Sequence, residues 1–260
     1  MGDPLSDPRA KIRRAKTHLA EFELERQKWF ESSPYAVLPY TNSDKTEWKF
    51  ALHRFDEEFK AEKDIFGLII GDYVHALRSA LDQLVWQLVT VANGITPKSD
   101  NEVSFPIITT HPSKFWARPM INRNELTFEQ ALFLEGFQPY RAIDAADKNA
   151  LADLHALWNA DKHKLVTPVR VTLSKEGPVF RTNAEAGNIV SKEWDSEVAL
   201  EGDAEIAWVT VAPVGPDPQV DVTSLPVDVT FGEGGRLIQD LPTLLFITDQ
   251  IVENCARFFE

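Results

Sequence analysis

The spacing of the apolar residues changes at about residue 165, and this change constrains the fold more than any other feature. Before that point, apolar side chains recur every three to four residues over long stretches, which is typical of amphipathic helices. After Leu165, short segments rich in β-branched residues alternate with glycine, proline and asparagine, as in strands joined by turns. The sequence therefore predicts an α+β fold that combines a helical bundle with antiparallel strands.

The helical pattern occupies three stretches of the chain, at about residues 6–32, 56–166 and 236–260. The first stretch predicts one long N-terminal helix, because proline follows an N-cap pair at Ser6-Asp7. The second predicts the central helices, with an irregular region from 95 to 125. The last predicts a helix that returns to pack on the earlier ones.

Two groups of strands are expected. Residues 35–40 and 48–55 flank a polar turn and predict a short hairpin, because apolar and polar residues alternate in the second segment. Residues 167–235 predict an antiparallel β meander, in which 220–231 form one strand. We expect a single domain over residues 1–260.

Composition and charge exclude several classes of protein. The net charge of −13 disfavours a broad nucleic-acid-binding face, because phosphate contacts need a basic surface. The single cysteine, Cys255, excludes an intrachain disulfide. The sequence shows no leader segment and no apolar run long enough to span a bilayer. We therefore expect a cytoplasmic protein without a membrane partner.

The segment from Gly71 to Asp82 carries the first group of reactive side chains. At about 100° per residue, His75, Arg78 and Asp82 fall within a sector of roughly 60° on one helix. Asp72 projects roughly 60° beyond His75. An acid, a base and an imidazole are therefore predicted to share one helix edge.

The segment from His155 to Lys164 carries the second group. His155, Asn159 and Lys162 share a sector of roughly 60°. Asp161 projects onto the border of the apolar stripe, where a carboxylate needs a partner because an isolated buried charge costs several kcal/mol. We predict Arg78 as that partner.

Three interpretations of these two segments are compatible with the sequence. Arg78 and Asp82 are spaced like an exposed helical ion pair, which contributes only a few tenths of a kcal/mol. A buried structural bridge from Arg78 to Asp161 is the second interpretation, and a catalytic or ligand-binding site is the third. Histidine and carboxylate side chains also suit a metal centre, but the chain has no HExxH motif or other histidine pair four residues apart. No metal is therefore predicted, and the sequence leaves cofactors open.

These segments also carry a resemblance to known sequences. The run from Ile70 to Asp82, followed by Phe105-Pro106-Ile107, Gln138-Pro139-Tyr140 and the run from Asn159 to Leu165, resembles a group of uncharacterised bacterial proteins. That group shows a GD-x-x-H-x-L-R-S-A-L-D helix and a later D-K-H-[RK] element. The resemblance covers roughly residues 60–170 and implies no activity.

A looser resemblance is to the HEPN helical superfamily, whose active members use an R-x(4-6)-H motif in a dimeric bundle. Arg78 is not followed by histidine at that spacing, and the one formal match runs from Arg13 to His18. The resemblance implies a metal-independent ribonuclease or nucleotide-processing enzyme, with Arg78 stabilising charge, His163 as general acid or base and Asn159 beside them. A small molecule or RNA is then the expected partner, with a homodimer as the expected assembly.

From the residues alone, the leading hypothesis is a binding or scaffold-type protein with a polar centre between two helices. Besides Arg78, His163 and Asn159, the predicted members of this polar centre are Asp72, His75, Asp82, His155, Asp161 and Lys162.

Overall fold

A computed structural model of the chain describes residues 2–32, 35–54, 56–141, 150–163, 169–173, 175–196, 204–231, 236–237 and 240–260. The chain divides into two compact units. Unit 1 comprises Met1–Glu23, Leu68–Thr167 and Gln239–Glu260, and unit 2 comprises Leu24–Gly67 and Pro168–Ile238. The predicted α+β class with a helical bundle is confirmed, and the single domain stays a prediction.

Unit 1 is built from helices, two of which continue into unit 2. The described α-helices are α1 (Ser6–Glu31), α2 (Asp56–Gln87), α3 (Pro112–Trp116), α4 (Pro119–Asn122), α5 (Phe128–Gly136), α6 (Ala150–His163) and α7 (Leu241–Asn254). One π-helical turn, Leu88–Ala92, extends α2. The bounds of α1 agree with the prediction to within one residue.

The predicted return of the last helix is confirmed by contacts of α7 within unit 1. Arg9 on α1 forms a two-point ion pair with Glu253, with Nε–Oε1 and Nη2–Oε2 distances of 2.8 and 2.6 Å. The Tyr73 hydroxyl on α2 donates a hydrogen bond to the Leu241 carbonyl at 2.5 Å. α7 also packs against α6, so it contacts three helices of the unit.

The region predicted to be irregular, 95–125, contains the short helices α3 and α4. Proline opens both helices, which fits its preference for the first helical turn. The next helix, α5, begins with a capping box: Thr127 accepts from the Gln130 backbone, and the Gln130 side chain accepts from the Thr127 backbone. The start of α5 was therefore predictable from local sequence, whereas the two short helices were missed.

Unit 2 contains the strands, all paired antiparallel. They are β1 (Tyr35–Thr41), β2 (Glu47–Arg54), β3 (Val169–Leu173), β4 (Val179–Thr182), β5 (Asn188–Trp194), β6 (Ala204–Ala212), β7 (Val220–Ser224), β8 (Val227–Phe231) and β9 (Arg236–Leu237). The largest sheet has the order β1-β2-β6-β5. The predicted hairpin is confirmed as β1 and β2.

The predicted meander is wrong in its order. The pairs β5–β6, β4–β7 and β3–β8 are nested, each enclosing the one before it. The strand predicted for 220–231 is interrupted at Leu225-Pro226, because proline cannot supply a ladder hydrogen bond. Local alternation identifies strands but not their partners, and the partners decide the order.

Among the helices that the structure describes, none combines the length and the apolar character needed to cross a membrane.

Candidate functional site

The first part of the candidate site is an ion pair within α2, between Arg78 and Asp82. Arg78 Nη2 lies 2.8 Å from Asp82 Oδ1, and Arg78 Nε donates to Asp82 Oδ2 at 3.2 Å. The pair is therefore bidentate, the strongest geometry available to arginine and a carboxylate. The Arg78 side chain is only 7 % exposed, so this is not the weak surface pair that the spacing alone allowed.

The same two side chains hold the backbone of Phe105. Asp82 Oδ1 accepts from the Phe105 N–H at 2.9 Å, and Arg78 Nη2 donates to the Phe105 carbonyl at 2.7 Å. Phe105 is buried but lies outside any helix or strand, so its backbone polar groups need side-chain partners. The ion pair on α2 supplies both.

Gln138 continues this arrangement along the next residues. Its side-chain NH₂ donates to the Pro106 carbonyl at 2.8 Å, and its oxygen accepts from the Ile108 N–H at 2.9 Å. Side chains thus hold the backbone of segment 105–108 in the way that a neighbouring strand would hold it. This role accounts for three of the sequence elements that carried the family resemblance.

Burial opposes the charged form of both members of the ion pair. It lowers the pKa of Arg78, while the charge of Asp82 acts in the opposite direction. Burial likewise raises the pKa of Asp82, against the lowering effect of Arg78. Each charge therefore depends on the other, and loss of either would leave its partner poorly solvated.

The second part of the site is on α6, where Trp158 meets the guanidinium of Arg78. The Arg78 Cζ lies 5.1 Å from the Trp158 ring centroid, and Lys162 Nζ lies 4.5 Å from it. Both distances are in the range of cation–π interactions. The helices α2 and α6 therefore lie side by side, and the Trp158 ring is one of their points of contact.

His155 and Asn159 form a pair on α6. The Asn159 Nδ2 lies 3.0 Å from His155 Nε2, so Nε2 accepts and the proton of the neutral imidazole is on Nδ1. Desolvation lowers the pKa of His155, and the charges of Arg78 and Arg118 add to this effect. The neutral form of the ring is therefore favoured.

Two buried hydrogen-bond donors of the site have no partner among the described residues, Arg78 Nη1 and His155 Nδ1. Buried polar groups are nearly always satisfied, so such atoms call for an explanation. Arg118 acts electrostatically on both residues. Its own side chain is exposed and forms no ion pair with any described residue. We call Arg78, Arg118 and His155 the donor cluster.

Asp161 does not pair with Arg78, so that prediction is wrong. The Arg78 guanidinium is engaged by Asp82 and Phe105, whereas the Asp161 carboxylate lies against Gly71 on α2. A β-carbon added at Gly71 would lie 2.5 Å from Asp161 Oδ1. Glycine therefore makes room for the carboxylate, and the pairing was mispredicted because helical projection does not include the offset between two packed helices.

The other predicted site residues are peripheral. His75 is exposed, and its Nε2 lies 3.4 Å from Ser79 Oγ. Asp72 is also exposed. His163 is the last residue of α6, but its side chain lies outside the described part of the chain. Its predicted role as a general acid or base stays a prediction.

Sequence reasoning missed Gln138 and Arg118 as members of the site. Gln138 was visible in its motif but had no predicted role, because its partners are distant backbone groups. Arg118 carries no local signal beyond its charge. Within the described ranges, no group of three or more histidine, cysteine or acidic residues is arranged to hold a metal ion.

Comparison with known proteins gives no match: no family model, no curated protein and no solved structure is similar to this chain at the significance required.

Proposed function

We propose that this protein is a small-molecule binding protein, and that its ligand binds at the donor cluster between α2 and α6. The observation that carries the proposal is the pair of buried donors, Arg78 Nη1 and His155 Nδ1, that no described residue satisfies. Leaving a donor of this kind unpaired costs about 1–3 kcal/mol. A ligand that accepts from both would remove that cost.

The bonds of Arg78 support binding rather than turnover. Its Nε and Nη2 are held by Asp82 and Phe105, so only Nη1 is left for a ligand. A fixed, buried guanidinium is suited to orient a ligand. The ribonuclease hypothesis would instead require an RNA phosphate to reach Arg78, whose side chain is only 7 % exposed.

A thermal-shift screen of metabolites tests the proposal. We expect at least one compound to raise the melting temperature of the wild-type protein in a saturable manner, because a ligand that binds only the folded state stabilises it. His155→Ala should remove the shift. Gln27→Ala, which changes an exposed residue of α1, should leave it intact. A complete screen with no His155-dependent shift would contradict the proposal.

The ribonuclease alternative has a separate test. Cleavage of total RNA that is abolished by His163→Ala, with the melting temperature unchanged, would establish the enzyme and replace the binding proposal. We expect no cleavage, because Arg78 is buried and already paired.

A further inference from the structure

The groups left without partners at the donor cluster are all donors. Arg78 Nη1 carries N–H groups only, and His155 Nδ1 carries the proton because Nε2 faces the Asn159 amide. Arg118 adds a third set of donors. Because these groups can only donate, a ligand that binds them must carry hydrogen-bond acceptors.

The local charge also favours a ligand that carries hydrogen-bond acceptors. The chain as a whole carries −13, yet Arg118 and Lys162 make no ion pair with a described residue. Arg78 is balanced by Asp82, whereas Arg118 has no such counter-charge among the described residues. Lys162 stands next to Asp161 in α6, so the positive charge that favours an anion at the buried donors is that of Arg118.

We infer that the donor cluster binds an oxyanion, a phosphate or carboxylate group of a small molecule, through Arg78 Nη1, His155 Nδ1 and the guanidinium of Arg118. The inference rests on the proposed function and specifies its ligand class. Guanidinium groups suit this chemistry because their planar donors match the oxygens of phosphate and carboxylate.

Other described orphan atoms do not form a comparable site. Gln83 Oε1 and Glu125 Oε2 are acceptors, and Arg123 Nη2 belongs to a guanidinium that already pairs with two carboxylates. His18 Nδ1 lies 3.4 Å from Glu21 Oε2, and Trp29 Nε1 belongs to a ring that packs against Phe30 and Phe66. Among the described residues, only the donor cluster combines two buried donors with an arginine that forms no ion pair and acts electrostatically on both. The Trp158 ring is already in contact with two cations, so the recognised part of the ligand is the anionic group rather than a stacked base.

The test uses inorganic phosphate as the probe, with acetate as the carboxylate arm and chloride at equal ionic strength as the reference. Isothermal titration and melting temperature are measured for the wild type, Arg118→Ala, His155→Ala and Arg14→Ala. Arg14 is an exposed arginine of α1, so its replacement matches the change in net charge. Arg118 is exposed as well, so its variant tests the site without loss of a buried group.

We expect phosphate or acetate to bind the wild type saturably, and Arg118→Ala to weaken binding about 10-fold or more, since a charge-assisted hydrogen bond contributes at least about 1.5 kcal/mol. Arg14→Ala should bind like the wild type. The stronger of the two probes then identifies the ligand as a phosphate or a carboxylate.

Two results would overturn the inference. An equal loss of anion affinity in Arg118→Ala and Arg14→Ala would show that binding depends on the net charge of the protein and not on Arg118. Alternatively, both anions could leave the protein unchanged while an uncharged or cationic compound gives a His155-dependent shift; the oxyanion would then be excluded and the binding function retained. Absence of any His155-dependent ligand, charged or uncharged, would remove both.

Discussion

The carboxylate of Asp161 on α6 occupies the space that a side chain on Gly71 of α2 would need. The position of a β-carbon on Gly71 is 2.5 Å from Asp161 Oδ1 and 3.2 Å from its Cγ. Real β-carbons do not come this close to another heavy atom. The helices α2 and α6 therefore meet through a glycine and a carboxylate, in addition to the contact of Arg78 with Trp158.

A double-mutant cycle tests this relationship. In an Asp161→Ala background, Gly71→Ala should raise the free energy of unfolding by about 0.5–1 kcal/mol, because alanine is the better helix former. In the wild-type background the same change should be at least about 1 kcal/mol less favourable, since the carboxylate must move. Urea unfolding of the four proteins measures the coupling.

Gly136 supplies the control for this cycle. It lies in α5, and an added β-carbon would meet nothing within 4 Å. Gly136→Ala should therefore have the same effect with and without Asp161. A Gly71–Asp161 coupling no larger than that of Gly136–Asp161 would show that the contact is not present in solution.

Because Arg78 forms a bidentate ion pair, its replacement by lysine should destabilise the protein. Arg78→Lys keeps the charge but loses the bidentate geometry and the simultaneous bond to the Phe105 carbonyl. We expect it to lower the free energy of unfolding by about 2 kcal/mol, in the range for hydrogen bonds to charged groups. The change is measured by urea unfolding, with the m-value checked for constancy.

Arg9→Lys is the matched control, because Arg9 also forms a two-point pair with one carboxylate, that of Glu253, but is about one third exposed. Exposed pairs contribute about 0–1 kcal/mol, so its loss should be smaller. Similar losses at positions 78 and 9 would contradict the structural role assigned to Arg78.

Local sequence determined the elements of the fold more completely than their arrangement. The bounds of β3 and β4 and the capped start of α5 follow from residues within each element. β5 was missed because all but the last of its residues are exposed, so it has no apolar face to produce an alternating pattern. Nested strand pairing was missed because it depends on contacts distant in sequence.

The candidate site shows the same division. Helical projection correctly placed Arg78 with Asp82, which are one turn apart. It could not reveal that both hold the backbone of Phe105, or that Asp161 contacts Gly71, because these relationships depend on how separate segments pack. Arg118 had no pattern that marked it, and only its electrostatic effect on His155 and Arg78 brings it into the site.

Replacement of Gln138 should also cause a large loss of stability. Its side chain is fully buried and holds three backbone groups, the Pro106 and Leu134 carbonyls and the Ile108 N–H. Gln138→Met should lower the free energy of unfolding by about 3 kcal/mol, because each unsatisfied buried group costs about 1–3 kcal/mol. Gln27→Met on the exposed face of α1 should change it by less than about 0.5 kcal/mol. A loss at Gln138 no larger than at Gln27 would refute the assigned hydrogen bonds.

His155 predicts a pH dependence of stability with a defined sign. Its pKa in the folded protein is lowered, by desolvation first and by the charges of Arg78 and Arg118 next, whereas the unfolded value is about 6.5. Just below pH 6.5 the unfolded chain therefore binds more protons, so the contribution of His155 to stability falls as the pH falls through this range. Above pH 6.5 it is constant, because the ring is neutral in both states.

The measurement compares the wild type with His155→Gln, which cannot titrate. The difference in free energy of unfolding between the two proteins should be constant from about pH 7 to 8. Below about pH 6.5 the wild type should lose stability relative to the variant. Arg118→Ala removes one of the charges that oppose protonation, so in this variant the decline should be smaller. Asp82 on α2 also faces this region and stays unchanged in both variants, so its titration cancels. A difference that does not vary with pH would show that the imidazole is not held in the neutral form, and a decline unaltered by Arg118→Ala would remove Arg118 from the donor cluster.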